Sequence, residues 1–498
     1  MSESRALDVV LLGSGFGGSL LAAALGAGGM SVAVVDRARH PRFAIGESST
    51  PAADLLLQQI ATRHGLDEVL PLTKFGTWRD AYPQVNCGCK RGFSYFHHAG
   101  PLGFRATDAH ENELLVAASS SRAAADTQWY RADVDAFLVE VARNRGVEVI
   151  EGAQVVDVEH RAPNDWVVVV EHEGSVLRLE SAFVVDASGP AGVLMNRVGV
   201  PDAGDELATR SAAVYSHWRG VRPVGEWLRE QGSSTGDYPY PVEDSVIHHL
   251  FEDGWLWQIP FEDGTTSLGY VFADPAAAIR ESTAEATWKR VVRDRPALAD
   301  VLGPTLLAEF PGELFRTRGL QRMRAEAAGE DWAALPYTVG FIDPLHSTGI
   351  AHTLSGVARL VGILLERCGD ERVEALRAYT RDVGAELRLV DRLVSGCYAA
   401  LGDFRLFTTW VMAYFAAATT YERRRIADPA GEVGFLCADD SRFVRMVERM
   451  HGELASVRGG GNVEAFVSRM REELAPYNHV GLFEPAAPNM YWHTALEK

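Results

Sequence analysis

The features of this chain that could do chemistry are a turn of closely spaced glycines, two tryptophans two residues apart, and two lysines that each precede a glycine by two. Gly13-Ser14-Gly15-Phe16-Gly17-Gly18 has the spacing G-x-G-x-x-G. It follows a continuous apolar run at 9–12 and opens a stretch of helical composition at 19–25. In such a turn each glycine serves a separate purpose. Gly13 makes the tight turn, Gly15 lets the backbone approach a pyrophosphate, and Gly18 lets helix and strand pack closely. The helix N-terminus offers free N–H groups and a partial positive charge to phosphates. Asp36 ends the next apolar strand, where it can accept hydrogen bonds from ribose hydroxyls. Glycine turns also join strands to helices for packing alone. With strand, helix and acid all in place, however, the spacing reads as a dinucleotide-binding unit.

Trp255-Leu256-Trp257-Gln258-Ile259-Pro260 reads W-x-W-x-I-P. On an alternating strand both indoles project to one face and form a wall, although an aromatic core face alone would look the same. Lys74 sits in TKFGTW and Lys90 in CKRGFSYF. A desolvated lysine can polarise an electrophile or act as a nucleophile, whereas the ordinary fate of a lysine is a solvated surface. Lys90 leads into the alternating strand 92–96, with Phe93 and Tyr95 on one face. Lys74 lies closer to Gly46-Glu47-Ser48-Ser49-Thr50-Pro51. Ser347-Thr348-Gly349 offers backbone N–H donors suited to an anion, and equally suited to capping a helix. His97-His98 and His248-His249 are adjacent pairs whose members point to opposite faces of a strand, so neither is a metal chelate. One member of each could line a pocket as a base for a hydroxyl proton.

Together, the glycine motif, W-x-W-x-I-P and GFIDPLHSTGI (340–350) resemble the flavin-dependent halogenases, over residues 8 to about 365. The branch acting on phenolic rings, whose members carry a helical C-terminal extension, is the most similar. The resemblance implies FAD rather than NAD, as do the strand ending in Asp186-Ala187-Ser188-Gly189 and the segment 340–349, which resemble the second and third contact regions of large FAD enzymes. Glu47 and Ser48 fall in a segment similar to the family's GES/GEA-x-x-P loop beside the flavin. Arg131 resembles an arginine on the adenosine side, and Asp343 the acid that holds the ribityl–phosphate stretch. The implied chemistry begins with FADH2 supplied by a separate reductase. Together with O2 it oxidises chloride or bromide to hypohalous acid. A tunnel walled by Trp255, Trp257, Ile259 and Pro260 leads this acid to a lysine at the organic substrate. The amides of Thr348 and Gly349 would hold the halide, backbone donors being strong enough to bind it yet weak enough to release it. The family's K-x-G pattern before an alternating strand favours Lys90, while the shorter spacing from the GES loop keeps Lys74 as the alternative.

Two departures bear on the substrate. Tryptophan halogenases resemble E-S-T-G where this chain has His346 before Ser347. That disfavours tryptophan and favours a phenol activated by its own hydroxyl, with His346, Phe93 and Tyr95 as candidate substrate or electrophile contacts. Tyr337-Thr338-Val339 replaces the Gly-Asp of many flavin hydroxylases. The reading is therefore an FADH2-dependent halogenase of a small electron-rich phenol, free or carrier-bound. The alternatives are an FAD aromatic monooxygenase, an indole halogenase and a non-catalytic flavin-binding protein.

These side chains need a scaffold large enough to bring them together. The chain has 498 residues with a net charge of −19, which disfavours nucleic acid and anionic membrane partners. The expected fold is α/β: a Rossmann-type FAD-binding domain of the para-hydroxybenzoate-hydroxylase kind, a mainly antiparallel substrate sheet and a helical C-terminal region. The FAD domain is expected from 1–75, 116–204 and 326–365, the substrate sheet from 76–115 and 205–325, and the helices from 366–498. The most membrane-like run, 406–418, is too short for a span and reads as a buried helix. The polar start MSESRALD leads to the expectation of no signal peptide. Cys87, Cys89, Cys368, Cys397 and Cys437 are odd in number and irregular in spacing, which points to free thiols, no zinc site and a reducing cytoplasm. The apolar C-terminal helices are left to cover the pocket or to form a homodimer.

Overall fold

The computed structural model describes residues 5–100, 103–429 and 431–492. Its first sheet is centred on Arg5–Leu12, which pairs in parallel with Val32–Asp36 on one side and Ser175–Asp186 on the other. Glu148–Glu151 extends the sheet in parallel beyond Val32–Asp36. Ser175–Asp186 then turns back through the antiparallel strands Asp165–His172 and Gln154–Ala162, and takes Trp332–Ala334 in parallel at its end. The central strands read as unbroken apolar runs because no face of them meets water; Val9, Val10 and Leu11 are wholly buried. The helix Phe16–Ala27 packs against Arg131–Asn144 and against Thr348–Glu366, so the glycine turn and the Ser347-Thr348-Gly349 turn are joined through one helix pair. This architecture is the expected Rossmann-type fold.

The second sheet is mainly antiparallel. Its order runs Ala212–Arg219, Thr265–Phe272, Gly254–Pro260, Ser245–Phe251, Gly92–His97, Glu113–Ala117. Gly92–His97 and Ser245–Phe251 are parallel neighbours, in a register that sets Tyr95 beside His248. Alternation gives the sheet two distinct faces. Phe93, Tyr95, Trp255 and Trp257 join the large core shared with the helices, whereas Leu256, Leu268 and Tyr270 pack beneath Ala284–Asp294. That helix, with Val224–Glu230 and Pro296–Leu302, interrupts a region read from its sequence as strand-rich. Cys87–Lys90 does not enter this sheet; it forms a separate ribbon with Asp126–Trp129.

Four long helices follow: Gly369–Ala400, Phe404–Ala427, Ser441–Arg458 and Val463–Leu474. The run 406–418 lies inside the second of these and is almost entirely buried. Among the described residues a different helix, Thr348–Glu366, is the one long and apolar enough to cross a membrane, and 72% of its apolar window is buried inside the protein. The last element among the described residues is not helical: Met490–Tyr491 adds to the second sheet beside Glu113–Ala117. All five cysteines are free, and only Cys368 is exposed.

Candidate active site

The glycine turn carries the steric signature its spacing implies. Gly13 has φ +111°, and a Cβ there would lie 2.4 Å from the Ala187 carbonyl oxygen. At Gly18 a Cβ would lie 2.2 Å from the Gly13 carbonyl oxygen. A Cβ on Gly15 would meet only side-chain tips, the nearest being Arg42 Nη2 at 3.5 Å, so the open side of the turn lies at this glycine. Asp36 Oδ2 accepts from the Ser14 amide at 2.8 Å and from the Ser14 hydroxyl at 2.9 Å, which fixes the carboxylate at the strand end. Arg42 reaches both Asp36 (3.7 Å) and Asp135 (3.8 Å). Buried Arg131 is forked onto Asp135 and donates to the carbonyls of Ile45 and Gly46, tying the GESSTP segment to this end of the cradle. Asp186 serves the fold: its carboxylate accepts from the amides of Ser188, Leu194 and Met195 and caps the short helix there. The cradle fits a dinucleotide such as FAD by shape and donor set.

Next along the chain, the GESSTP segment and the strand Asp126–Trp129 that it bridges present buried polar atoms that lack protein partners among the described residues: Glu47 Oε2, Ser48 Oγ and both side-chain polar atoms of Gln128. Such atoms are costly unless a ligand or water meets them. The other Glu47 oxygen is held by His217 Nε2 at 2.7 Å. Lys90 is wholly buried at the end of its ribbon. Its Nζ donates to the Ser49 carbonyl and lies 4.0 Å above the Phe93 ring. Burial pulls its pKa from 10.5 down to about 7, against the opposing pull of Asp126 and Asp54. Lys74 is different. Its side chain is 28% exposed and pairs with Asp54 at 3.3 Å and Asp126 at 3.7 Å. The two candidate lysines thus flank the same pair of acids, and only Lys90 is desolvated.

Phe93, beneath the Lys90 ammonium, lines a cleft together with Thr50, Thr348, Tyr414 and Phe415. Thr348 opens the helix Thr348–Glu366, preceded by Ser347 in the left-handed conformation at φ +53° and lacking a side-chain cap. Its first-turn amides are therefore available to an anion. His346, at the departure from the tryptophan-halogenase pattern, is stacked on Tyr414 with centroids 4.3 Å apart, and its Nε2 lies 3.7 Å from Cys397 Sγ. Burial holds its pKa near 3, so it is a neutral ring at any ordinary pH.

Trp255 and Trp257 share one face as their alternation requires, with ring centroids 6.2 Å apart. The Trp257 indole lies across Gly269, where a Cβ would come within 2.1 Å of the ring, and its N–H donates to Ser267 Oγ. Ile259 is buried beside them. Pro260 closes the strand with its carbonyl against Gly88, at 2.1 Å from where a Cβ would stand. The Trp255 N–H donates to Tyr398 Oη at 3.0 Å, and that hydroxyl donates to Asp343 Oδ2 at 2.8 Å. Ser211 Oγ donates to the same oxygen, and burial raises the Asp343 pKa to about 6 despite these donors. Asp343 is thus engaged within the protein, linking the indole wall to the turn before Thr348.

Sequence reasoning did not find Tyr398, His217, Asp54, Asp126 or Tyr414. Each is an ordinary residue of its helix or strand, and no spacing marks it. Within the histidine pairs, His248 faces the core side of the sheet, while His249 turns to the far face and meets His98 at 3.1 Å. His97 stacks on Phe404. Among the described residues no cluster of histidine, cysteine and carboxylate side chains could hold a metal.

Comparison with known proteins gives the family and the fold. Residues 118–402, more than half the chain, match the family model described as tryptophan halogenase. Monodechloroaminopyrrolnitrin halogenase PrnC of Pseudomonas fluorescens is 27% identical, covering 92% of this chain and 82% of that protein. The tetracycline 7-halogenase of Kitasatospora aureofaciens is also 27% identical, over 85% and 75% of the two chains. In fold, halogenase PltM in complex with phloroglucinol and FAD superposes with a TM-score of 0.85 at 22% identity, covering 99% of this chain and all of that one, so the likeness runs through the C-terminal helices as well. The chain belongs to the tryptophan halogenase family and is a flavin-dependent halogenase, an enzyme that uses reduced FAD, O2 and a halide.

Proposed function

We propose that the enzyme chlorinates or brominates a small electron-rich phenol by electrophilic aromatic substitution, with Lys90 as the residue that presents the electrophile. The observation that carries this reading is the placement of Lys90: a fully buried amine that touches both the GESSTP backbone and the Phe93 ring of the cleft, with a pKa near 7. Reduced FAD, when bound, would give two electrons to O2 and so activate it, leaving O2 as the oxidant that takes the other two from halide to give hypohalous acid. The chain's own residues do the rest. Gly13, Gly15, Gly18, Asp36 and Arg131 hold the dinucleotide end, with Glu47, Ser48 and Asp343 towards the flavin. The amides of Thr348 and Gly349 bind the halide without a full countercharge, so it can leave. Trp255, Trp257, Ile259 and Pro260 separate flavin from substrate, while Lys90 hydrogen-bonds hypohalous acid or takes up its halogen.

The neutral His346 supports a phenol over tryptophan. An uncharged ring replaces the glutamate, so ring activation falls to the substrate's own hydroxyl. A separate reductase supplies FADH2 in this reading, the substrate is free or carrier-bound, and the free thiols suit a reducing cytoplasm. The test is a reaction with a flavin reductase, NADH, chloride and parallel panels of phenols and indoles, read by mass spectrometry for the chlorine isotope pattern. Halogenated phenols are expected. Chlorinated indoles with untouched phenols would overturn the substrate assignment, and hydroxylated products alone would overturn electrophile transfer at Lys90.

A further inference from the structure

The substrate face of the second sheet holds a histidine that none of the roles above employs. His248 is fully buried and lies between Tyr95, whose ring stacks on it at 4.4 Å and 18°, and Trp255, whose ring lies at 5.3 Å. Phe93, the floor of the cleft, lies parallel to it at 6.2 Å. It therefore lies on the sheet face shared by the indole wall and the Phe93 floor, the face that Lys90 approaches through Phe93.

Its hydrogen-bonding settles which nitrogen is bare. Nδ1 lies 3.0 Å from the Ser94 carbonyl oxygen, which can only accept, so Nδ1 carries the hydrogen. Nε2 is then an unprotonated lone pair. It is buried and has no partner among the described residues. Burial, against the opposing pull of the bond to the Ser94 carbonyl, holds the ring near a pKa of 3 and keeps it in that form. The hydroxyl of the stacked Tyr95 is a second buried polar atom without a partner among the described residues. An acceptor-only nitrogen and a hydroxyl able to donate are thus left unmet on two stacked rings, the pair that a substrate hydroxyl would satisfy by giving its hydrogen to one and receiving from the other.

We propose that His248 Nε2 is the acceptor that recognises the substrate, so that the enzyme selects aromatic rings bearing an O–H or N–H donor, with the Tyr95 hydroxyl completing the seat for an oxygen. The assignment rests on the aromatic-substrate reading above and sharpens it. An acceptor on a ring hydroxyl also draws the O–H bond towards the histidine and enriches the ring carbons that an electrophile attacks.

The experiment uses two donor pairs with the full chain loaded with FAD: 1,3-dihydroxybenzene against 1,3-dimethoxybenzene, and indole against 1-methylindole. Binding is measured by calorimetry, and halogenation is followed as KM and kcat. The wild-type chain is expected to bind the diol at least about tenfold more tightly than the diether, the size set by leaving a buried acceptor unmet. His248→Phe keeps a stacking ring without a lone pair, and should lose that preference. His248→Gln, which restores an acceptor, should recover part of it. FAD retention and the unfolding midpoint establish that each variant folds. A wild-type preference confined to indole over 1-methylindole, abolished in His248→Phe, would sustain the histidine's role and overturn the phenol. If His248→Phe leaves the donor preference of both pairs unchanged, the assignment of His248 fails whichever ring is the substrate. Failure of the wild-type chain to bind any of the four would overturn both readings.

Discussion

Replacing Lys90 by methionine tests the energetic and the chemical reasoning at once. Holding the Lys90 pKa at about 7 instead of 10.5 amounts to about 5 kcal/mol against its ammonium in the folded chain. Below pH 7 both folded and unfolded chains carry the proton, so that penalty is present in full. Between about pH 7 and 10.5 the unfolded chain binds the proton and the folded chain does not, and wild-type stability rises with pH. Above 10.5 the penalty is gone. Lys90→Met removes the charge while keeping an unbranched apolar chain over Phe93, and gives up the bond to the Ser49 carbonyl, worth ~1 kcal/mol. The variant should therefore unfold at a higher temperature than wild type at pH 6, and the gap should close or reverse by pH 10. Product formation should fall by at least ~100-fold while oxidation of FADH2 continues. The wild-type pH profile, taken at saturating FADH2, should show a limb near pH 7. It rises with pH if the free amine takes up halogen, and falls if the ammonium donates to hypohalous acid. A Lys90→Met chain that halogenates at the wild-type rate refutes the catalytic assignment and moves it to Lys74. A pH-independent stability difference between the two chains refutes the buried-amine argument.

Other expectations follow from contacts elsewhere in the site. Gly13→Ala puts a Cβ against the Ala187 carbonyl oxygen on a backbone with φ +111°, so FAD retention after gel filtration should be lost. Gly269→Ala collides with the Trp257 indole and should lower stability by about 1–3 kcal/mol; the displaced wall should shift turnover from halogenated product towards released hydrogen peroxide. Tyr398→Phe removes both the donor to Asp343 and the acceptor for Trp255, lowering stability by about 1–3 kcal/mol by chemical denaturation, with Tyr398→His as a partial rescue. Glu386, buried against Arg359 and His352, has its pKa held at about 2, chiefly by Arg359 against the opposing pull of burial. Its stabilisation is complete above the ordinary carboxylate range near 4.5 and is lost as pH falls through 2. Glu386→Ala should destabilise the helix Thr348–Glu366 by about 3–5 kcal/mol at pH 7, read as a lowered unfolding midpoint.

What the amino-acid order determined by itself was local. Val9, Val10 and Leu11 are apolar without interruption and lie in a central parallel strand; Gly13 and Gly18 mark a turn whose steric needs only glycine meets, and Gly15 leaves its open side. Alternation alone placed Trp255 and Trp257 on one face and separated His248 from His249. These follow from periodicities of two and about 3.6 residues, which act between near neighbours in the chain. The choices between equivalent candidates were not local. Lys90 and Lys74 both precede a glycine by two. Only the fold buries one against the Ser49 carbonyl, 41 residues away, and leaves the other partly in water with Asp54. Nothing near Asp343 announces Tyr398, 55 residues on in a C-terminal helix, nor does the sequence around His248 show that Ser94, 154 residues earlier, fixes its tautomer. Burial and hydrogen-bond partnership are sums over everything that packs around an atom, and they set the protonation states on which the chemistry depends. The chain order therefore determined which residues could act, and tertiary packing decided which of them are desolvated enough to do so.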